Sequence, residues 1–251
     1  MMRTLALAIG NSSVFGGVCS AQGRLVSFRV PNTGLITLPR HVRGRIDRAV
    51  ICSVVPAETP DAVRLVRRTW NVDAQLLTFD AAHGLTIGYR QPSQLGADRI
   101  AAAIGAQVLY PRRHVVVVDC GTATTVTALR ADGKILGGAI LPGLSLWPET
   151  LALRTAQLPR IQLRRPRAAL ARSTEDAIAS GVFFGHAGAI RETVARVRAE
   201  AFGRARCEVI GTGGHAERFA KEKLFTVIAP TLILQGLCEF ADRTSVHNVK
   251  P

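Results

Sequence analysis

The feature that most constrains the fold of this chain is an internal repeat. The two copies are residues 5–14 (LALAIGNSSV) and 116–125 (VVVDCGTATT), and the similarity continues in residues 21–25 and 131–135. Each copy predicts three strands. A turn with glycine and hydroxyl side chains joins the first strand to the second, and a Gly-containing hairpin turn joins the second to the third. We therefore expect two related halves. Hairpins that share glycines can also resemble each other by chance, because turns use few residue types.

Apolar stretches that alternate with helical patterns indicate an α/β protein. The expected strands include residues 5–9, 49–55, 114–118 and 207–210, and the expected helices are residues 59–70, 98–109, 174–201 and 230–241. A Pro-Arg-Arg-His segment at residues 111–114 separates the halves, so the predicted domains are residues 1–113 and 114–251. A turn from each copy could offer backbone N–H groups to a phosphate in a cleft between them.

The composition is that of a globular chain. Of its 251 residues, 47% are hydrophobic and 20% are charged, so it can bury a substantial core. A helix that spans a membrane needs about 18 consecutive apolar residues, and no apolar stretch of the sequence is that long. The apolar residues 1–8 end at a Gly-Asn-Ser-Ser turn before a signal-peptide core is complete, and we expect a cytoplasmic protein without a membrane partner. The five scattered cysteines indicate neither a disulfide framework nor a zinc site.

The net charge of +14, from 32 basic and 18 acidic residues, would suit an anionic ligand or a nucleic acid. The basic residues are spread along the chain, and nine Phe, two Tyr and two Trp offer few platforms for base stacking. We therefore do not expect a nucleic-acid partner. The arginine-rich segment at residues 154–172 is interpreted as a solvated loop, with a basic surface or a mobile lid as alternatives.

The second copy of the turn carries a carboxylate. Asp119 ends a predicted buried strand, and Thr122, Thr124 and Thr125 place three hydroxyls in the turn that follows. A carboxylate there can hold a cation while the turn holds phosphate oxygens. The alternative is an Asx turn in which Asp119 only caps backbone N–H groups.

Another candidate lies at the start of a predicted helix, at the end of the segment 89–99. Asp98 stands at the helix N-terminus, where the helix dipole favours its charged form, and it could act as a base. Arg99 could pair with a substrate carboxylate or a transferring phosphoryl group. The alternative is a helix-capping aspartate beside a solvated arginine.

Together, these motifs resemble the type III pantothenate kinases, the Bvg accessory factor-like family of the actin-like ATPase superfamily. Further matching segments are Ser53–Pro56, Gly137–Gly143, Thr155–Pro159, Ser173–Gly181, Gly211–Gly214 and Leu232–Leu237. The resemblance implies a duplicated actin-like, ribonuclease H-like α/β fold with two domains and a cleft between them. It also implies a homodimer.

The reaction that the resemblance implies is ATP-dependent phosphorylation of the primary hydroxyl of pantothenate, the first step towards coenzyme A. By the family pattern, Asp98 is the catalytic base, Asp119 binds a monovalent cation, K⁺ or NH₄⁺, and Mg²⁺ accompanies the nucleotide. The residues assigned to pantothenate are Tyr89, Gly96, Ala97, Asp98, Arg99 and Thr174. The residues assigned to ATP are Ala8, Ile9, Gly10, Asn11, Ser12, Ser13, Val14, Phe15 and Thr122.

One position departs from the family pattern. The first turn of the family is Asp-x-Gly-Asn-Thr, whereas this chain has Ala8 at its head and Ser12 at its end, so the carboxylate is absent. Loss of a group that positions a cation removes transition-state stabilisation, and we expect reduced activity. The alternative function is a catalytically weakened relative that binds nucleotide or pantothenate as a regulator.

Overall fold

The computed structural model describes residues 2–81 and 83–247, and the chain divides into two compact units. Unit 1 is Met1–Arg112, Asp132–Ile135 and Thr231–Pro251, and unit 2 is Arg113–Ala131 and Leu136–Pro230. The strands are β1 (Arg3–Ile9), β2 (Ser13–Ser20), β3 (Leu25–Pro31), β4 (Arg48–Ser53), β5 (Ala74–Leu76), β6 (Thr86–Ile87), β7 (His114–Cys120), β8 (Ala123–Leu129), β9 (Lys134–Pro142), β10 (Cys207–Thr212) and β11 (Val227–Ile228).

The helices are α1 (Leu38–His41), α2 (Thr59–Trp70), α3 (Ala97–Leu109), α4 (Leu146–Arg154), α5 (Thr174–Phe202) and α6 (Leu232–His247). Three short 3₁₀ helices cover Asn32–Thr37, Pro92–Gln94 and Ala216–Glu222. Within residues 2–81 and 83–247, no helix has both the length and the apolar character that a membrane span requires.

The repeat is visible in the order of the strands. The first sheet has the order β3-β2-β1-β4-β5, and the second sheet contains the run β9-β8-β7-β10-β11. In the first sheet β1 runs antiparallel to β2 and parallel to β4, and in the second β7 runs antiparallel to β8 and parallel to β10. The second sheet therefore repeats the first strand for strand, which confirms the predicted duplication.

The central strands of both sheets are buried along nearly their whole length. Residues 4–9 of β1 and residues 115–118 of β7 are almost inaccessible to solvent. Unbroken apolar runs of this kind are typical of strands that are covered on both faces. In unit 1, α2 covers the face that carries Leu7 and Val14, and it packs there through Leu65. In unit 2, α5 packs on the sheet beside Val116 and Val126.

The C-terminal helix α6 belongs to unit 1, whereas the predicted second domain, residues 114–251, included it. It contacts β1, β2 and β4 and packs closely against α3. A Cβ on Gly236 would lie 1.8 Å from the Ala101 carbonyl oxygen, and one on Gly105 would lie 2.3 Å from the Leu232 carbonyl oxygen. The backbones of the two helices thus touch where each has a glycine. The sequence position of α6 does not reveal this packing, since a helix can return to any earlier sheet.

A hairpin segment also returns to unit 1. Residues 132–135 join it because β6 pairs with Lys134 and Ile135, the first two residues of β9. The Gly88 amide donates to the Ile135 carbonyl oxygen at 2.8 Å and extends this pairing. The first break between the units, after Arg112, lies one residue from the predicted boundary at 113.

Two cysteines pair, contrary to the prediction from sequence. Cys19 of β2 forms a disulfide with Cys238 of α6, whereas Cys52, Cys120 and Cys207 are buried thiols. Cys19 and Val14 point to opposite faces of β2, because side chains alternate along a strand. The disulfide therefore joins α6 to the sheet face opposite α2. Spacing along the chain could not reveal the pair, since 219 positions separate its two members.

The contact between α3 and α6 can be tested by substitution. Gly236→Ala is expected to lower the free energy of unfolding by about 3 kcal/mol, because the methyl group would meet the Ala101 carbonyl oxygen and force the helices apart. The matched control is Gly188→Ala in α5, where an added Cβ meets no atom within 4 Å. Urea unfolding followed by circular dichroism measures both. A midpoint for Gly236→Ala equal to that of the control would contradict the packing.

Candidate active site

The first turn, residues 10–13 between β1 and β2, is held by backbone and side-chain hydrogen bonds. The Gly10 amide donates to the Ser13 carbonyl oxygen at 3.0 Å, which closes the turn. Asn32, which follows β3, donates from Nδ2 to the Gly10 carbonyl oxygen at 2.7 Å. Asn11 and Ser12 are exposed at the tip. The turn is therefore a fixed loop with an accessible tip, as a phosphate-binding turn requires.

The start of α3 lies beside this end of the unit 1 sheet. The Val54 amide, just after β4, donates to the Ile9 carbonyl oxygen at 3.0 Å, so β1 and β4 end together. A Cβ on Gly96, the N-cap of α3, would lie 3.6 Å from Val54 Cγ1. Unit 1 thus brings the first turn and the N-terminus of α3 to the same edge of the sheet.

Asp98 folds back over the start of α3. Its Oδ1 accepts a hydrogen bond from the Arg99 amide at 2.8 Å, and a Cβ on Gly96 would come within 2.5 Å of the same oxygen. Burial raises the pKa of Asp98 above its ordinary value, and the hydrogen bond from Arg99 and the charge of Arg99 oppose that rise only in part. A carboxylate with a raised pKa is a stronger proton acceptor, as general base catalysis requires.

Arg99 is buried and held by a specific partner. Only 6% of its surface is exposed, and its Nη1 donates to the Tyr89 hydroxyl at 2.5 Å. The alternative of a solvated arginine is therefore wrong. The structure brings Tyr89, Gly96, Ala97, Asp98 and Arg99, all predicted site residues, together at one end of α3.

The second turn, in unit 2, has the same construction as the first. Asp119 near the end of β7 pairs with Thr212 of the parallel strand β10 and with Thr125 of β8. The Gly121 amide donates to the Ala123 carbonyl oxygen at 3.1 Å. Gly213 follows β10 with a φ of 86°, and a Cβ there would lie 2.2 Å from Asp119 Oδ1. Glycine is required at this position because the backbone is left-handed and the carboxylate lies against it.

The groups around Asp119 suit a hard cation. Among residues 2–81 and 83–247, no three His, Cys, Asp or Glu side chains cluster as a transition-metal site would need. One carboxylate with hydroxyl and carbonyl oxygens nearby matches the oxygen ligands that hard cations prefer. Cys120 does not compete as a ligand, because burial and the neighbouring Asp119 charge raise the pKa of its thiol to about 12. The donors are therefore oxygen atoms of the kind that alkali and alkaline-earth cations accept.

A buried histidine contacts the second turn. His186 of α5 is fully buried, and its Nε2 lies 3.1 Å from the Thr124 hydroxyl oxygen. The edge of its ring faces Trp147 of α4, with ring centroids 5.8 Å apart. Burial and, second, the charge of His215 lower its pKa to about 4, so the imidazole is neutral at neutral pH. These contacts and the neutral imidazole indicate a structural role for His186.

Thr174, the remaining predicted pantothenate ligand, is the first residue of α5 in unit 2. The preceding Ser173 caps the helix, since its hydroxyl oxygen accepts from the Asp176 amide at 3.2 Å. Thr122, predicted to contact ATP, is exposed in the second turn of the same unit.

The arginine-rich segment is anchored to unit 2 rather than fully solvated. Residues 155–173 form neither helix nor strand. Arg164 pairs with Asp176, and Arg165 Nη2 lies 2.6 Å from Glu222 Oε1. Arg165 also lies over the ring of Phe183, at 5.1 Å from its centroid. The segment is a loop, as predicted, and the side chains of Arg164 and Arg165 remain 48% and 45% exposed while they contact these partners.

One residue beside the first turn escaped the sequence analysis. Arg29 of β3 donates from Nη1 to the Ser13 hydroxyl at 3.0 Å. The two residues are far apart in sequence and meet only through the pairing of β2 with β3. A pattern of strand residues does not indicate which partner a long side chain reaches.

Sequence comparisons relate this chain to one family. Residues 4–196 match the family model described as type III pantothenate kinase. A type III pantothenate kinase of Legionella pneumophila (strain Corby) is 36% identical over 247 residues, covering 93% of this chain and 96% of the relative. That of Dehalococcoides mccartyi (strain CBDB1) is 33% identical over 249 residues and covers 94% of each chain.

Solved structures share the fold at low sequence identity. A conserved Baf family protein from Campylobacter jejuni has a TM-score of 0.62 and 21% identity, covering 96% of this chain and 99% of that one. A ROK family glucokinase from Streptomyces griseus has a TM-score of 0.54 and 14% identity, covering 96% and 98%. These similarities confirm the predicted duplicated actin-like fold.

The neutral state of His186 predicts a dependence of stability on pH. The unfolded histidine binds a proton near pH 6.5, whereas the folded one binds it only near 4, so the folded state loses stability as the pH falls from 6.5 towards 4. By pH 5 the free energy of unfolding should be lower by about 2 kcal/mol than at neutral pH. His186→Gln should show a flatter profile in urea unfolding, and the exposed His41→Gln should follow the parent chain. Parallel profiles for the parent and His186→Gln would contradict the assignment.

Proposed function

Because the chain belongs to the type III pantothenate kinase family, we propose that it transfers the γ-phosphoryl group of ATP to the primary hydroxyl of pantothenate, the first step towards coenzyme A. The observation that carries this proposal is the position of Asp98. A carboxylate with a raised pKa lies at the N-terminus of α3, at the same edge of the unit 1 sheet as the first turn.

We propose that Asp98 accepts the proton of the substrate hydroxyl while the oxygen of that hydroxyl attacks the γ-phosphorus in line. The bond from the γ-phosphorus to the oxygen that bridges it to the β-phosphate breaks, and ADP leaves. Phosphoryl transfer demands little covalent chemistry from a protein, since alignment and charge neutralisation provide most of the rate. Burial favours this role, because it raises the pKa of the carboxyl group towards the pH at which the enzyme works.

The first turn supplies the phosphate contacts in this proposal. Residues Ala8 to Phe15 bind the phosphates of ATP through backbone N–H groups and hydroxyls, and the family resemblance also assigns Thr122 to ATP. Asp119 holds the monovalent cation, which supplies positive charge for the phosphate oxygens when bound. The first turn offers no carboxylate, so a Mg²⁺ ion that accompanies the nucleotide would receive no charged ligand from this turn.

The acceptor contacts follow from the buried arginine. Tyr89 fixes the guanidinium of Arg99, and a fixed guanidinium is well suited to pair with the carboxylate of pantothenate. Gly96 and Ala97 form the backbone at the start of α3, and the family resemblance also assigns Thr174 to pantothenate. We also place the enzyme in the cytoplasm as a homodimer, as the family resemblance implies.

The alternative, a weakened relative that acts as a regulator, rests on Ala8 alone. Ala8 is buried in β1, where it pairs with Phe15 of β2 and Cys52 of β4. The base and the carboxylate of the second turn are both present. Because the chain has both of these carboxylates, we favour the kinase.

The proposal is tested by ADP release from ATP, measured with and without pantothenate in K⁺ and in Na⁺ buffer, for the parent chain and for Ala8→Asp. We expect pantothenate-dependent turnover that is faster in K⁺. Turnover that appears only in Ala8→Asp would favour the regulator, because the site would then lack only the missing carboxylate. No turnover in either chain would contradict the proposed function.

Asp98→Asn should lower kcat by about 10²- to 10⁴-fold, since an amide cannot accept the proton. In the parent, kcat/KM should fall as the pH decreases through the raised pKa of Asp98, because the carboxylate becomes protonated. That acid limb should disappear from the residual activity of Asp98→Asn. The control is Asp73→Asn, an exposed aspartate of unit 1, which should retain the parent kcat and acid limb. Activity of Asp98→Asn within about twofold of the parent would contradict the role of Asp98.

A further inference from the structure

Three residues form one row across the first sheet at the edge where the first turn lies. Ala8 of β1 pairs with Phe15 of β2, and Phe15 pairs with Arg29 of β3. Directly paired residues in antiparallel strands project from the same face. The row therefore places three groups side by side. They are Ala8, which stands where the family has a carboxylate, the ring of Phe15 and the guanidinium of Arg29.

The guanidinium of Arg29 is directed to the first turn by two contacts. Its Cζ lies 4.4 Å from the centroid of the Phe15 ring, within the range of a cation–π interaction. Its Nη1 donates to the Ser13 hydroxyl at 3.0 Å. Ser13 is the residue whose carbonyl oxygen closes the turn on the Gly10 amide. The charge of Arg29 is thus held at the turn.

We propose that Arg29 is an ATP-binding residue that contacts the phosphate oxygens held by the first turn. This inference rests on the proposed function, which places those phosphates there. A guanidinium is planar, always charged and presents donors in a fork that matches a phosphate group. Its stacking on Phe15 fixes this fork before the nucleotide binds, so less conformational entropy is lost on binding.

The charge at Arg29 also bears on the missing carboxylate. With Ala8 in the row, the first turn has no negative side chain and is contacted by the positive Arg29. Arg29 lies two strands from Ala8, about 10 Å by the usual strand spacing. The turn therefore attracts phosphate by direct charge, whereas a turn headed by aspartate acts through a cation.

The test compares nucleotide affinities by calorimetry in the absence of pantothenate, for the parent chain, Arg29→Gln and Arg29→Lys. Loss of a charged hydrogen bond should raise the Kd for ATP about tenfold or more in Arg29→Gln, with partial recovery in Arg29→Lys. The Kd for adenosine should stay unchanged, because it has no phosphate. The control is Arg24→Gln, an exposed arginine before the same strand β3, which should bind ATP as the parent does.

Each outcome either supports or overturns the inference. Equal Kd values for ATP in the parent and Arg29→Gln overturn it, and so does an equal loss of affinity for ATP and adenosine, which would indicate damaged structure. A parent chain that binds no ATP overturns it as well. A parent that binds ATP through Arg29 but phosphorylates no pantothenate would contradict the proposed function alone. Unfolding midpoints of the variants are compared with that of the parent, and equal midpoints exclude a defect in folding.

Discussion

Parallel pairing of the first strand of each repeat with a later strand is the constraint on which the rest of the structure depends. β1 pairs with β4 in unit 1 and β7 pairs with β10 in unit 2, so the hairpin turn after the first strand comes to lie at the carboxyl end of its parallel neighbour. In unit 1 this brings the first turn to the segment against which α3 begins. In unit 2 it brings Asp119 to Gly213. Both units thereby gather backbone N–H groups, hydroxyls and one carboxylate at a sheet edge, the usual place for ligands in α/β proteins.

Local patterns were sufficient to predict most of the elements. The helix at residues 59–70 has the predicted bounds, and the predicted repeat is present as the same strand order in both sheets. What depends on packing between distant segments could not be predicted. The close approach of Gly105 and Gly236 assigns α6 to unit 1, the Cys19–Cys238 disulfide joins β2 to α6, and the Arg29 contact depends on strand register. Periodicity along the chain contains no information on such partners.

The chemistry proposed for this chain depends on the surroundings of a few side chains more than on the net charge of the chain. The net charge of +14 is spread over the chain, whereas three residues assigned to the proposed reaction have defined surroundings. Asp98 has a raised pKa and Arg99 is fixed by Tyr89 in unit 1, and Asp119 lies against Gly213 in unit 2. Ala8 removes one carboxylate from this set, and Arg29 adds a cation to the same row of the sheet. In this proposal the chain has its base, whereas its first turn lacks the family carboxylate and is contacted by a guanidinium.

The central claim is that a phosphoryl group passes from ATP to the primary hydroxyl of pantothenate. The most direct test is ³¹P nuclear magnetic resonance of the products after incubation of the chain with ATP and pantothenate. The account predicts one new phosphomonoester on the primary hydroxyl for every ADP formed, and none with Asp98→Asn. Inorganic phosphate in place of that ester, or an ester on another oxygen of pantothenate, would contradict it.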